Sequence, residues 1–202
     1  SPDFYPSRLI TAFNTAAFFI QIAYLCSMGK KIIIIPLLAV LLGTSCKKDD
    51  TPPTSGVVTI DNTRTLGQTY YVYGFLFSGA KKVSTLDTPK PDITVDSDGT
   101  NLLFMTDNLK DSFYNAGEYP DAVSAKTAFD NLKSATVPAA SWEGLASPLK
   151  VNQIWIYRTG QDTYAKIRII SLIGEIRNGI DYAECTFEWE YQPDGTLTFP
   201  GK

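Results

Sequence analysis

The strictest constraint in this chain is a strand-period alternation running through residues 151–191. From Thr163 to Leu172, Ala165, Ile167 and Ile169 fall on one side and Tyr164, Lys166 and Arg168 on the other. That is the two-residue period of a half-buried strand. Before it, residues 151–159 set Ile154 and Ile156 on one face and Trp155 and Tyr157 on the other, and Gly160-Gln161 suits a two-residue type II′ turn. Such a turn predicts Ile156 opposite Ala165 and Ile154 opposite Ile167. After it, Ala183, Cys185, Phe187, Trp189 and Tyr191 alternate with Glu184, Thr186, Glu188 and Glu190. A loop centred near Asn178-Gly179 then sets Ile169 opposite Phe187 and Ile167 opposite Trp189. The same register faces Arg168 with Glu188 and Lys166 with Glu190, and a slip of one residue would turn every apolar side chain outward. The expectation is a three-stranded antiparallel meander with 163–172 in the middle and its charged side in solvent. Ser171 and Leu172 break the alternation, which predicts a bulge there or cover on both faces.

The first 45 residues do not belong to such a core. Met28-Gly-Lys-Lys is followed by an apolar run over 32–42, then by Gly43-Thr44-Ser45 and Cys46. This is the order of a secretory signal peptide, and the cysteine after small residues resembles a bacterial lipoprotein cleavage site at which Cys46 carries the lipid. Gly43 stands where such sites usually have leucine. Lys47-Lys48-Asp49-Asp50 is similar to the short signal that sends some lipoproteins to the cell surface, and Thr51-Pro-Pro-Thr-Ser-Gly continues it as a stiff polar linker. The expected organisation is an upstream extension over 1–27, a lipoprotein signal peptide over 28–45, a tether over 46–56 and a β domain over 57–202. The net charge is −3, and removing 1–45 takes away Arg8, Lys30 and Lys31 against Asp3. That acidic balance does not attract nucleic acid. Of the three cysteines, only Cys185 lies beyond the lipid site, so stability rests on the core rather than on a disulfide.

Further strands are expected over 56–60, 69–77, 93–95 and 102–106, the last two joined by Asp96-Ser97-Asp98-Gly99. In 69–77, Tyr71, Tyr73, Phe75 and Phe77 alternate with Val72, Gly74 and Leu76, which suggests cover on both faces. Residues 107–119 read as a long loop. Pro120 opens a helix to about Ser134, with an apolar stripe of Ala122, Ala125, Ala128, Phe129 and Leu132. Asp194-Gly195 offers a turn before a short strand over 196–199. Strand after strand with one inserted helix argues for a mainly β, antiparallel domain.

The chain contains no histidine, which removes Ser-His-Asp and Cys-His catalysis and the usual zinc sites. Cys185 lies on an apolar strand face, the position of a buried, inert thiol. Glu184, Glu188 and Glu190 share a face at a spacing that paired glycosidase carboxylates also use. Opposite Lys166 and Arg168, they read instead as a solvated face with cross-strand ion pairs. No enzymatic activity is expected. Trp155, Tyr157 and Tyr164 are either cover beneath the helix or the Trp142 segment, or a flat aromatic platform for a ligand. Met105 is the sole methionine beyond Cys46; it is core filler or a thioether able to ligate haem iron.

Tyr164-Ala165-Lys166-Ile167-Arg168-Ile169, then Cys185-Thr186-Phe187-Glu188-Trp189-Glu190-Tyr191-Gln192, then Asp194-Gly195, resemble the C-terminal signature of the HmuY-type haemophore lipoproteins. The resemblance covers about a quarter of the chain. The Trp-Asp pair that family members tend to carry in the middle strands is absent. The resemblance implies an all-β lipoprotein of the outer membrane that takes haem at the cell surface and passes it to an outer-membrane receptor. Without histidine the family's two-His site cannot form here. The resemblance then implies Met105 as haem ligand, with Tyr114 or Tyr119 as a second. The alternative is a surface lipoprotein that binds a glycan or partner protein through Trp155, Tyr157 and Tyr164.

Overall fold

The alternation in 151–191 does become the centre of the molecule. The computed structural model describes residues 51–64 and 71–199, all within the unit Asp49–Lys202. The extension 1–27, the signal segment 28–45 and Cys46 lie outside the described residues. Among those described, the domain is mainly β and antiparallel, with a single α-helix. In chain order come β1 (Ser55–Asp61), β2 (Tyr73–Leu76), β3 (Lys81–Ser84), β4 (Thr94–Ser97), β5 (Leu102–Met105) and β6 (Phe113–Glu118). Then follow α1 (Ala122–Asn131), β7 (Gln153–Arg158), β8 (Tyr164–Arg177) and β9 (Ile180–Gln192). A five-stranded sheet runs β1-β9-β8-β7-β6, and β2-β3 and β4-β5 are separate hairpins.

The β8–β9 pairing has the expected register: Ile169 faces Phe187, Ile167 faces Trp189, Arg168 faces Glu188 and Lys166 faces Glu190. A bulge lies between Ile169 and Ser171. It returns Leu172 to the apolar side, which accounts for the broken alternation there. Asn178 (φ 52°) and Gly179 (φ 77°) close the hairpin with two left-handed residues, the type I′ geometry that suits strand twist.

The β7–β8 pairing corrects the expected one. Ile156 faces Lys166, Trp155 faces Ile167 and Tyr157 faces Ala165. The connection is Gly160-Gln161-Asp162, closed where Thr159 N–H donates to Thr163 O at 2.9 Å, with Asp162 at φ 59°. One residue more than a two-residue turn slides β7 by one position and exchanges its faces. Trp155 and Tyr157 therefore join the apolar side, while Ile154 and Ile156 lie beside Lys166 and Arg168.

On the apolar side, the sheet meets the two hairpins through Phe75, Phe77, Ile93, Val95 and Phe104, all buried. Phe75 lies 5.1 Å from Trp189, Phe104 5.5 Å from Phe187 and Phe77 5.6 Å from Tyr157, centroid to centroid. Each such side chain contributes roughly 1.5–3 kcal/mol by leaving water. Phe75, Leu76 and Phe77 are all buried, as cover on both faces requires.

The other face is where expectation and structure part. Helix α1 packs on it through Ala125 and Phe129, and Lys166, Arg168, Glu188 and Glu190 are all buried beneath it. The charged side of the meander is not solvated. The helix is also shorter than expected. Asp121 caps it by accepting from the N–H groups of Val123 and Ser124, and Leu132 ends it. Lys166 Nζ donates to Phe129 O at 2.9 Å and Leu132 O at 3.1 Å, satisfying carbonyls that the last turn leaves open.

Residues 107–119 are not all loop, since β6 occupies their second half. Its pattern is hidden by a bulge between Asn115 and Gly117 and by Gly117 at φ 152°. The expected strand over 196–199 reduces to one bridge, Ser134 to Thr198. Past the bulge, β8 and β9 extend beyond the core as an arm bearing Ile173, Ile176 and Ile180, all exposed.

Candidate functional site

The three aromatics expected to form one platform are divided by the β7 register. Trp155 and Tyr157 are 2% and 1% exposed and point into the core. Trp155 Nε1–H donates to Gln153 Oε1 at 2.9 Å, and Tyr157 O–H donates to Asp92 O at 2.8 Å. Tyr164 lies on the other face, 6.2 Å from Trp142. Tyr114 stands 6.3 Å from that same indole, and Arg158 lies over it at 4.6 Å. Tyr119 rests against Gly117. Neither Tyr114 nor Tyr119 lines the cleft that Met105 lines.

Met105 itself is 40% exposed and so is not core filler. It ends β5 opposite Thr94 and lines a cleft of about 290 Å³ with Asn62, Arg64, Tyr71 and Asp96. The cleft is built by β4 and β5 on one wall and the chain before β2 on the other. Asn62 Nδ2–H donates to Asp96 Oδ1 at 3.0 Å, which fixes the floor. Tyr71 packs edge-on against Tyr73 at 5.6 Å. A soft thioether, a phenol and a guanidinium thus converge on one opening. Tyr71 was missed because its alternation with Tyr73 and Phe75 reads as strand and gives no sign of a cleft wall.

A larger cleft of about 440 Å³ opens beside it, and Asp107 lines both. Its wall includes Pro89, Pro91, Asp92, Tyr157, Gln161 and Tyr191. Asp92 Oδ2 accepts from Phe77 N–H at 2.8 Å. Its other oxygen makes no hydrogen bond among the described residues. Burial pushes the Asp92 carboxyl up to about 6, against the lowering effect of the Phe77 N–H. Burial, helped by the charge of Asp92, likewise raises the Tyr157 phenol. Tyr157 Oη also receives Asn108 Nδ2–H at 3.2 Å. Thr159, Thr163 and Tyr191 hydroxyls form a chain at 2.8 and 3.0 Å along the rim. Lys90 and Asp107 pair at 2.7 Å at the mouth. Nothing in the sequence marks a cleft here, because Asp92 follows Pro91 just before the short strand expected over 93–95 and the loops that build the cleft are far apart in the chain.

The acidic row on β9 is committed to internal partners. Glu188 Oε2 takes two bonds from Arg168, at 3.1 and 2.8 Å, Glu190 pairs with Lys166 at 3.1 Å, and Glu184 accepts from Tyr182 O–H at 2.6 Å. Burial also lowers the Lys166 ammonium, with Glu190 opposing it. Burial raises the Cys185 thiol well above its ordinary range, as expected for an inert thiol. Among the described residues, no three His, Cys, Asp or Glu side chains gather as a metal site. No helix among them is long and apolar enough to cross a membrane. Comparison with protein-family models, curated proteins and solved structures finds no match.

Proposed function

We propose that this chain is a non-enzymatic, lipid-anchored capture protein of the outer membrane, and that its cleft at Met105 takes a flat, largely apolar ligand of the haem class for transfer to a receptor. The observation that carries this reading is the exposed Met105 thioether on a cleft wall shared with Tyr71 and Arg64. A thioether is a neutral, soft donor able to reach haem iron without imidazole. Tyr71 supplies aromatic surface and a phenol oxygen. Tyr71 takes the part that the resemblance implied for Tyr114 or Tyr119. Glycan binding on a platform of Trp155, Tyr157 and Tyr164 has less support, because two of the three side chains are buried.

The test is a haemin titration followed in the Soret region. Soft thioether ligation favours the reduced, softer iron. We expect weak binding of ferric haem, tighter binding after dithionite, and loss of the reduced-state spectrum in Met105→Ala. Absence of a Soret shift in both redox states would overturn the reading.

A further inference from the structure

The larger cleft has chemistry that haem does not use. We propose that the cleft at Asp92 is a separate binding site for a neutral saccharide, of mono- or disaccharide size. Its volume, about 440 Å³, falls within the range of small-molecule sites. Pro89 and Pro91 give it apolar wall, which suits the C–H faces of a pyranose. The polar groups suit its hydroxyls. The open oxygen of Asp92 accepts, and the side chains of Gln161 and Ser78, which make no hydrogen bond among the described residues, both donate and accept.

Charge narrows the ligand classes. Lys90 and Asp107 neutralise each other at the mouth, and the Asp92 carboxylate counts against an anionic ligand. A neutral ligand carrying both donors and acceptors suits Asp92 together with the uncharged Gln161 and Ser78. The second argument comes from cost. Asp92 has no salt-bridge partner among the described residues, and burial raises its pKa to about 6. A half-buried carboxylate with no cation beside it lowers stability near neutral pH, and such groups gather at functional sites. Ligand hydroxyls donating to its open oxygen would relieve that cost, so affinity should fall as pH drops below about 6. The other ionisable groups lining the cleft with Asp92 are Tyr157 on β7, Tyr191 on β9 and, at the mouth, Lys90 and Asp107.

The experiment is isothermal titration of the full chain at pH 8 with glucose, galactose, mannose, N-acetylglucosamine, lactose and maltose, and with methylamine as a cation control. We expect saturable binding of at least one sugar. Asp92→Asn, which keeps an acceptor for Phe77 N–H, should weaken it about tenfold, and the exposed Gln161→Ala about threefold, a hydrogen bond's worth. Met105→Ala should leave it unchanged, which separates this site from the haem cleft. Silence across the sugars, binding of methylamine instead, or sugar affinity unaltered in both Asp92→Asn and Gln161→Ala would overturn the proposal.

Discussion

The two faces of the five-stranded sheet solve the same burial problem with opposite chemistry. Beneath the hairpins lie Trp155, Ile167, Phe187 and Trp189, an aromatic and aliphatic layer with aromatic partners above it. Beneath α1 lie Lys166–Glu190 and Arg168–Glu188, ion pairs whose charged groups are almost wholly out of water. The first face gains stability from area. The second gains it only while every charge keeps its partner, because desolvating an ion costs several kcal/mol that the pair must return. Alternation of apolar and charged residues therefore says where a strand's two faces are, but not that the charged one is wet.

The largest effect is expected on the hairpin side. Ile167 is fully buried, and Ile167→Asp would strand a carboxylate there at several kcal/mol, comparable with the whole stability of a domain this size. Loss of the cooperative unfolding transition in circular dichroism is the expected outcome. A folded variant with a near-normal midpoint would place Ile167 outside the core.

Much of this contrast was legible in the residues and part was not. The β8–β9 register, the bulge near Ser171 and the Asn178-Gly179 turn follow from alternation and turn chemistry alone, which are local. The β7 register was not legible, because it hangs on whether Asp162 joins the turn in a left-handed conformation. Both of its faces are apolar enough to accept either slide. Burial of Lys166 was hidden because it depends on a helix some forty residues away packing back over the strand. Met105 was visible as a rare donor, whereas its partner Tyr71 and the Asp92 cleft arise only when separate loops meet.

A middle-sized effect tests a carboxylate handled differently from those under the helix. Asp92 makes no ion pair among the described residues, and its folded pKa is raised from 3.8 to about 6. A raised acid means that the folded state holds its proton more tightly, so stability falls as pH rises between about 4 and about 6 and is flat above. Asp92→Asn should therefore raise stability at pH 8 by up to about 3 kcal/mol and change it little at pH 4. Equal effects at both pH values in urea denaturation would remove the titration of Asp92 as the cause. The smallest effect belongs to the exposed pair of Lys150 and Glu118, whose side chains are 53% and 50% accessible at 3.1 Å. Lys150→Ala should cost under about 1 kcal/mol and less still in high salt, and a loss of several kcal/mol would show that surface charges here behave like the buried ones.

The contrast between the faces is tested most directly by a double-mutant cycle on Lys166 and Glu190, read by chemical denaturation. Lys166→Met and Glu190→Leu each remove one member of a buried ion pair, and each should cost about 3–5 kcal/mol. The double variant replaces the pair by apolar groups and should cost well below the sum of the single losses, what remains coming from the Phe129 and Leu132 carbonyls that Lys166 no longer meets. Single losses below about 1 kcal/mol that simply add in the double variant, as for exposed pairs, would contradict the account and put the charged face back in water.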